Sequence, residues 1–309
     1  MKKRIRGLAI AGFALMVACG QDSPPVVPEA LPTLGLSPIA ALGERLFKDE
    51  TLSVSGRLSC QTCHRAEFAH ASPPGDLVSV GGPAQNRPGL RNAPSIRYAS
   101  FTPAFGFDEE GTAFGGLFRD GRVPDLAAQA RQPFLDPREM ANPTLEDTVA
   151  RLRRSPNAAR FREVFGPDVF DDPARAFADL AMAIMQYEVE NPDFHRFDSK
   201  FDAWLAGRAT LSGTERRGLR WFEDPEKGNC AACHPSKPGA DGSPPLFTDF
   251  TYDNVGLTRN AAIPANADPA FFDLGLCGPE RMDLAARREL CGAFKVPTLR
   301  NVSRTPPYF

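Results

Sequence analysis

Apolar residues recur along this chain at helical spacing in a few short windows, separated by long stretches rich in proline, glycine and polar residues. The clearest window follows Asp172-Pro173. There Phe177, Leu180, Ala181, Ile184, Met185 and Val189 form one stripe, which predicts the longest helix of the molecule with its methionines serving as core rather than as ligands. A polar cap followed by proline at the first helical position predicts two more starts: Ser37-Pro38 for a helix to Lys48, and Asn142-Pro143 for one through Arg154. Ser212 with Glu215 reads as a capping box opening a helix through Phe222. Phe194, Phe197, Phe201 and Trp204 keep a helical spacing after Asp193 until Gly207 closes it, and a domain boundary is placed there, between 37–205 and 206–309. No run alternates as a half-buried strand does, so the predicted class is mainly α with long ordered loops.

Composition adds limits. The 309 residues carry a net charge of −2 with 24% charged and 42% hydrophobic side chains, which describes an ordinary soluble protein and offers no basic excess for nucleic acid. Thirty prolines and 26 glycines demand many turns, and a cofactor that contributes core volume would suit such a chain. The beginning is a targeting segment. Lys2, Lys3, Arg4 and Arg6 precede an apolar run from Gly7 to Ala18, too short to span a bilayer as a mature helix, so residues 1–18 read as an export signal. Met16-Val17-Ala18-Cys19-Gly20 resembles a lipoprotein cleavage box with Cys19 as lipid acceptor; cleavage near Ala18 with Cys19 an incidental thiol is the alternative. Residues 19–36 then form a Pro-rich tether, and the implied location is the periplasm, with the membrane reached only through that anchor.

Seven cysteines in an exported chain each need an account. Cys60, Cys63 and His64 form one Cys-x-x-Cys-His unit, and Cys230, Cys233 and His234 form a second. Two thiols three positions apart can add to the two vinyl groups of a haem, and the adjacent imidazole then sits beneath the iron. Zinc or a redox dithiol would explain the cysteine pairs but not a histidine at the same offset in both. Two covalently bound haem c groups, one for each of two cytochrome c-like domains, are therefore expected. Cys277 and Cys291 lie in one loop-rich segment, where a disulfide is the economical reading, and lipidation of Cys19 leaves no cysteine over.

In order, Leu42-Gly43-Glu44-Arg45-Leu46-Phe47, the first haem motif, Arg91-Asn92-Ala93-Pro94-Ser95 and Arg119-Asp120-Gly121-Arg122 resemble landmarks of the bacterial di-haem cytochrome c peroxidases and their MauG-like relatives. Gln129, Pro133, Pro137-Arg138-Glu139-Met140, the second haem motif and Lys295-Val296-Pro297-Thr298-Leu299-Arg300-Asn301-Val302 continue the resemblance over nearly all of the chain after residue 36. It implies a peroxide-reacting N-terminal haem, an electron-relaying C-terminal haem, hydrogen peroxide as substrate and a small cytochrome c or cupredoxin as donor. It also implies that Glu139 is the distal acid–base, that Gln129 and Pro133 belong to the distal side, and that Asn92, Thr305 and Pro307 hold one calcium ion between the lobes.

Three departures bear on these expectations. Where classical members carry a histidine that leaves the peroxidatic iron on activation, this chain has Gly81-Gly82-Pro83-Ala84-Gln85, which implies a five-coordinate first haem, as in the MauG-like branch. His70 and His195 are read as surface or structural. Arg119 stands where many relatives have a tryptophan between the haems, and the C-terminal region that supplies the second haem's sixth ligand in the family has no counterpart before Phe309, Met282 being unsupported as a substitute. The rival functions are MauG-like oxidation of a partner protein and a non-enzymatic di-haem electron carrier.

Overall fold

The structure, a computed structural model, describes residues 35–306 and Tyr308. The export signal, Cys19, nearly all of the tether and Pro307 lie outside the described residues. Eight α-helices are present among them: α1 (Pro38–Phe47), α2 (Cys60–Cys63), α3 (Leu126–Leu135), α4 (Leu145–Arg154), α5 (Ala158–Phe165), α6 (Pro173–Glu190), α7 (Lys200–Leu205) and α8 (Gly213–Glu223). Three antiparallel ribbons of two-residue strands complete the regular structure: β1 (Val80–Gly81) with β2 (Arg87–Pro88), β3 (Gly106–Phe107) with β4 (Ala113–Phe114), and β5 (Tyr252–Asp253) with β6 (Phe294–Lys295).

The central helix is α6, against which α1, α3 and α4 all pack. Asp172 caps it by accepting from the backbone N–H groups of Ala174 and Arg175, and Phe177, Leu180, Ala181 and Ile184 are buried in the main core as the stripe predicts. Val189 departs from that stripe, being 40% exposed, and Met185 is only half-buried, against a small second cluster. The antiparallel contact of α1 and α6 depends on Gly43. A Cβ there would lie 1.8 Å from the Ala183 carbonyl oxygen, so the helices approach more closely than any side chain permits. Ser37 closes the end of this pair, its N–H and hydroxyl both donating to the Glu190 carboxylate at 2.7 and 2.8 Å.

Two predicted helix boundaries are corrected. Thr144, not Asn142, caps α4, because the Asn142 carboxamide is buried and donates to the Leu52 and Phe134 carbonyls at 2.9 and 3.0 Å. The stretch from Phe194 to Trp204 is not one helix. After Pro192–Phe194 makes a 3₁₀ turn the chain extends, Phe197 packs against Tyr98 and Phe101, and Ser199 with Asp202 forms a new capping box for α7.

The main core is built entirely from residues before 195, whereas the segment after 206 has little regular structure and borrows partners. Its small cluster of Leu276 and Ala293 includes Ala113, with Phe105 and Tyr252 packed on it. The C-terminal strand β6 also reaches back, Lys295 N–H donating to the Arg119 carbonyl at 2.8 Å. Arg300 fastens the same segment to α7 through a buried ion pair with Asp202 at 2.8 Å, its guanidinium also lying 4.5 Å from the Phe197 ring centre.

Candidate active site

Cys60 and Cys63 sit at the two ends of α2, a single turn capped when Ser59 and Thr62 hydrogen-bond reciprocally. An i, i+3 pair on one turn shares a face, and the His64 N–H closes the turn on the Cys60 carbonyl at 2.9 Å. The His64 ring is oriented by Nδ1, 3.1 Å from the His70 carbonyl oxygen, which leaves Nε2 free to bind iron. His70 presents that carbonyl because its backbone is left-handed, φ 55°. Its own ring is buried against Phe194 and held by Arg97, and burial followed by the Arg97 charge lowers its pKa to about 4, so His70 is structural. His195 is exposed, its Nε2 bonded to the Val189 carbonyl.

Cys60, Cys63 and His64 line a cavity of about 310 Å³ that Gln129, Pro133 and Glu139 share. Gln129 and Pro133, four apart on α3, present one face to it. Glu139 is open to the cavity while protein surrounds it otherwise. Loss of bulk water, then the Asp136 carboxylate, push its pKa up to about 7 against the opposing pull of Arg122 and Arg138. The Gly81–Gln85 loop docks on the backbone of this residue. Gly82 N–H donates to the Glu139 carbonyl at 2.8 Å, and a Cβ on Gly81 would lie 2.3 Å from the Arg138 carbonyl oxygen, so only glycine lets the loop dock there.

The second motif repeats the device of the first. His234 N–H closes on the Cys230 carbonyl at 2.9 Å, and His234 Nδ1 lies 2.7 Å from the carbonyl oxygen of Phe247, another left-handed residue at φ 55°. This motif is the more open, with Cys230 exposed. Cys277 and Cys291 are disulfide-bonded, with Cα atoms 4.9 Å apart, and Met282 is exposed. Burial pushes the Cys60 and Cys63 thiols above their ordinary range. Among the described residues no group of three or more His, Cys, Asp or Glu could hold a metal ion, so the two cysteine pairs do not meet in a shared zinc site.

The family model described as di-haem cytochrome c peroxidase matches residues 37–210. The chain belongs to the di-haem cytochrome c peroxidase family. It is 39% identical to methylamine utilization protein MauG of Paracoccus denitrificans over 279 residues, covering 87% of this chain and 70% of that protein. It is 30% identical to cytochrome c551 peroxidase of Nitrosomonas europaea, over 98% of this chain and 76% of that one. The solved structure of the diheme peroxidase BthA from Burkholderia thailandensis superposes with a TM-score of 0.79 at 36% identity, covering 93% of this chain and 71% of that one. This peroxidase family implies two haem c groups, and no helix among the described residues is long and apolar enough to cross a membrane.

The cavity fits a haem with its propionates. Arg119 and Lys295 line it, and neither forms an ion pair with a carboxylate among the described residues. Arg119 Nε is buried without a partner; burial, then repulsion from Arg91, lower that guanidinium to about 10. Burial also lowers Lys295 to about 8, with Asp120 opposing and Arg119 reinforcing the fall. Two dehydrated cations facing an empty volume call for an anionic group. One further carboxyl escaped the sequence reading. Glu188 on α6 opens to the same cavity, and burial pushes it up to about 8 with no neighbouring charge contributing. Its position four residues after Ile184, on the buried stripe, was the available signal.

The Asn92 side-chain oxygen, expected as a calcium ligand, accepts a hydrogen bond from Arg119 Nη2. Thr305 follows a 3₁₀ turn (Val302–Arg304), with its N–H on the Val302 carbonyl.

Proposed function

We propose that the chain reduces hydrogen peroxide in the periplasm at a haem c held by Cys60, Cys63 and His64. A small cytochrome c or cupredoxin supplies the electrons, which enter by a second haem c on Cys230, Cys233 and His234. The observation that carries this reading is the Glu139 carboxyl, open to the cavity of the first attachment motif and poised near pH 7. The haem, when bound, supplies the iron redox chemistry for O–O cleavage. Glu139 as carboxylate takes a proton from one peroxide oxygen and, as acid, returns it to the other, which departs as water. Two electrons and two protons turn each peroxide into two waters. Gln129, on the same cavity, supplies a carboxamide that can orient the peroxide. The positive n-region and Cys19 support export with a lipid anchor.

Peroxide-dependent oxidation of a reduced small cytochrome tests the proposal; no peroxide consumption in steady state or in a single reaction overturns it. A MauG-like reaction, peroxide-driven oxidation of a residue on a partner protein, is the second reading. It is favoured by the 39% identity to MauG and by the absence of an imidazole in the Gly81–Gln85 loop. A peroxide-dependent mass change on a partner, with no cytochrome oxidation, would select it. A di-haem carrier would show neither reaction.

A further inference from the structure

The family resemblance places a calcium ion at Asn92, yet in this chain Asn92 is engaged otherwise. Guanidinium groups donate hydrogen bonds and cannot accept them, so the contact with Arg119 Nη2 turns the oxygen of the Asn92 carboxamide, the metal-binding end, toward the arginine. A calcium ion bonds oxygen at about 2.3–2.6 Å, which would set a divalent cation directly against the guanidinium. Among the described residues no uncommitted side-chain carboxylate offsets that repulsion. The nearest carboxylates, Asp120 and Asp273, are both bound by Arg91 at 2.7 Å, and Arg122 shares Asp120. Lys295 adds a second cation, half-buried, without a carboxylate partner among the described residues and close enough to Arg119 to feel its charge.

Arg119 also makes the connection a bridging metal would make. Its side chain holds the Asn92 segment, and its backbone carbonyl accepts from Lys295 N–H at 2.8 Å, on the C-terminal segment that leads to Thr305. We infer that Arg119 takes the place of the inter-lobe divalent cation, its guanidinium holding Asn92 and its backbone carbonyl the Lys295 segment, so that the protein is calcium-independent.

The test uses the di-haem protein and needs no turnover. After treatment with a calcium chelator and dialysis, calorimetric titration with calcium chloride should show no site, and neither the melting temperature nor the haem electron paramagnetic resonance (EPR) spectrum should respond to chelator or to millimolar calcium. One calcium per chain retained by the untreated protein, or a melting temperature that falls on chelation, overturns the inference. Arg119→Ser frees the Asn92 oxygen and removes the repelling charge. This variant should acquire one calcium site and regain, on adding calcium, several degrees of the melting temperature it lost. Asn92→Ala in the same background should abolish that regain, and Arg119→Lys, which keeps the charge, should stay indifferent to calcium. A folded Arg119→Ser protein with both haems but no calcium response refutes exclusion by Arg119; if that variant does not fold, the titration of the parent decides alone.

Discussion

Glu139→Gln isolates proton transfer from everything else the side chain does. The substitution exchanges one oxygen for an amide nitrogen, keeping size and hydrogen-bonding capacity while removing the titration. At pH 7 a carboxyl at its ordinary 4.5 would be protonated in only about one molecule in 300, whereas one at about 7 is protonated in about half, so the same group is available as base and as acid. Loss of general acid–base catalysis typically costs a factor of 10² to 10⁴, and even 10² is about 2.7 kcal/mol of barrier. Stopped-flow mixing with peroxide from about pH 5.5 to 8.5 is the assay, since the single reaction does not depend on how fast electrons are resupplied. The parent rate constant should rise with the carboxylate fraction and reach half its plateau near pH 7. The Gln variant should be at least about 100-fold slower, without that inflection. Haem content, by pyridine haemochrome, should be unchanged. The raised pKa means that ionising Glu139 weakens the fold as pH climbs from 4.5 through 7, so the variant should gain relative stability over that window and keep the gain above it. A variant that reacts within twofold of the parent, with the same pH dependence, would refute the assignment.

Four further outcomes follow from the same structure. The resting oxidised protein should show a high-spin EPR signal from the first haem, because the Gly81–Gln85 loop carries no strong ligand; only low-spin signals would contradict this. Gly43→Ala should destabilise by roughly 1–3 kcal/mol or more in denaturant melts, since its Cβ must displace the Ala183 carbonyl, and an unchanged midpoint would deny the close α1–α6 contact. Arg300→Ala should cost about 3–5 kcal/mol by leaving Asp202 buried and unpaired. Burial would raise the Asp202 pKa, but Arg300 and Ser199 outweigh it and hold the carboxyl below its ordinary range; the parent's advantage should be full above pH 4 and fade as pH falls further. Glu188→Gln should raise the melting temperature increasingly from pH 4.5 to about 8, because the native carboxyl resists ionisation over that window, and a constant difference across it would rule out a dehydrated carboxyl.

Interactions closed within a few residues were legible in the sequence. The haem-attachment units are short covalent spacings, and the caps at Ser37, Asp172 and Ser212 each satisfy N–H groups two or three residues ahead, so neighbouring residues specify them whatever the rest of the chain does. The resemblance to the family carried Glu139 and Gln129 to the distal side, and the structure puts both on the cavity of the first motif. Tertiary structure decided what depends on distant partners. Asn142 lost its predicted capping role because Leu52, 90 positions away, needed a hydrogen-bond donor in the core. The predicted helix through Phe197 gave way to aromatic contacts with Tyr98 and Phe101. Glu139 and Glu188 look like any other glutamates in the sequence, and burial, joined at Glu139 by the Asp136 carboxylate, separates their titration from that of a solvated carboxylate. The contact that turns Asn92 away from calcium joins residues 27 apart, and the Arg91–Asp273 pair that leaves Arg119 uncompensated spans 182. Desolvation and charge pairing are properties of the folded surroundings, and a linear pattern of residues does not contain them until the chain has closed on itself.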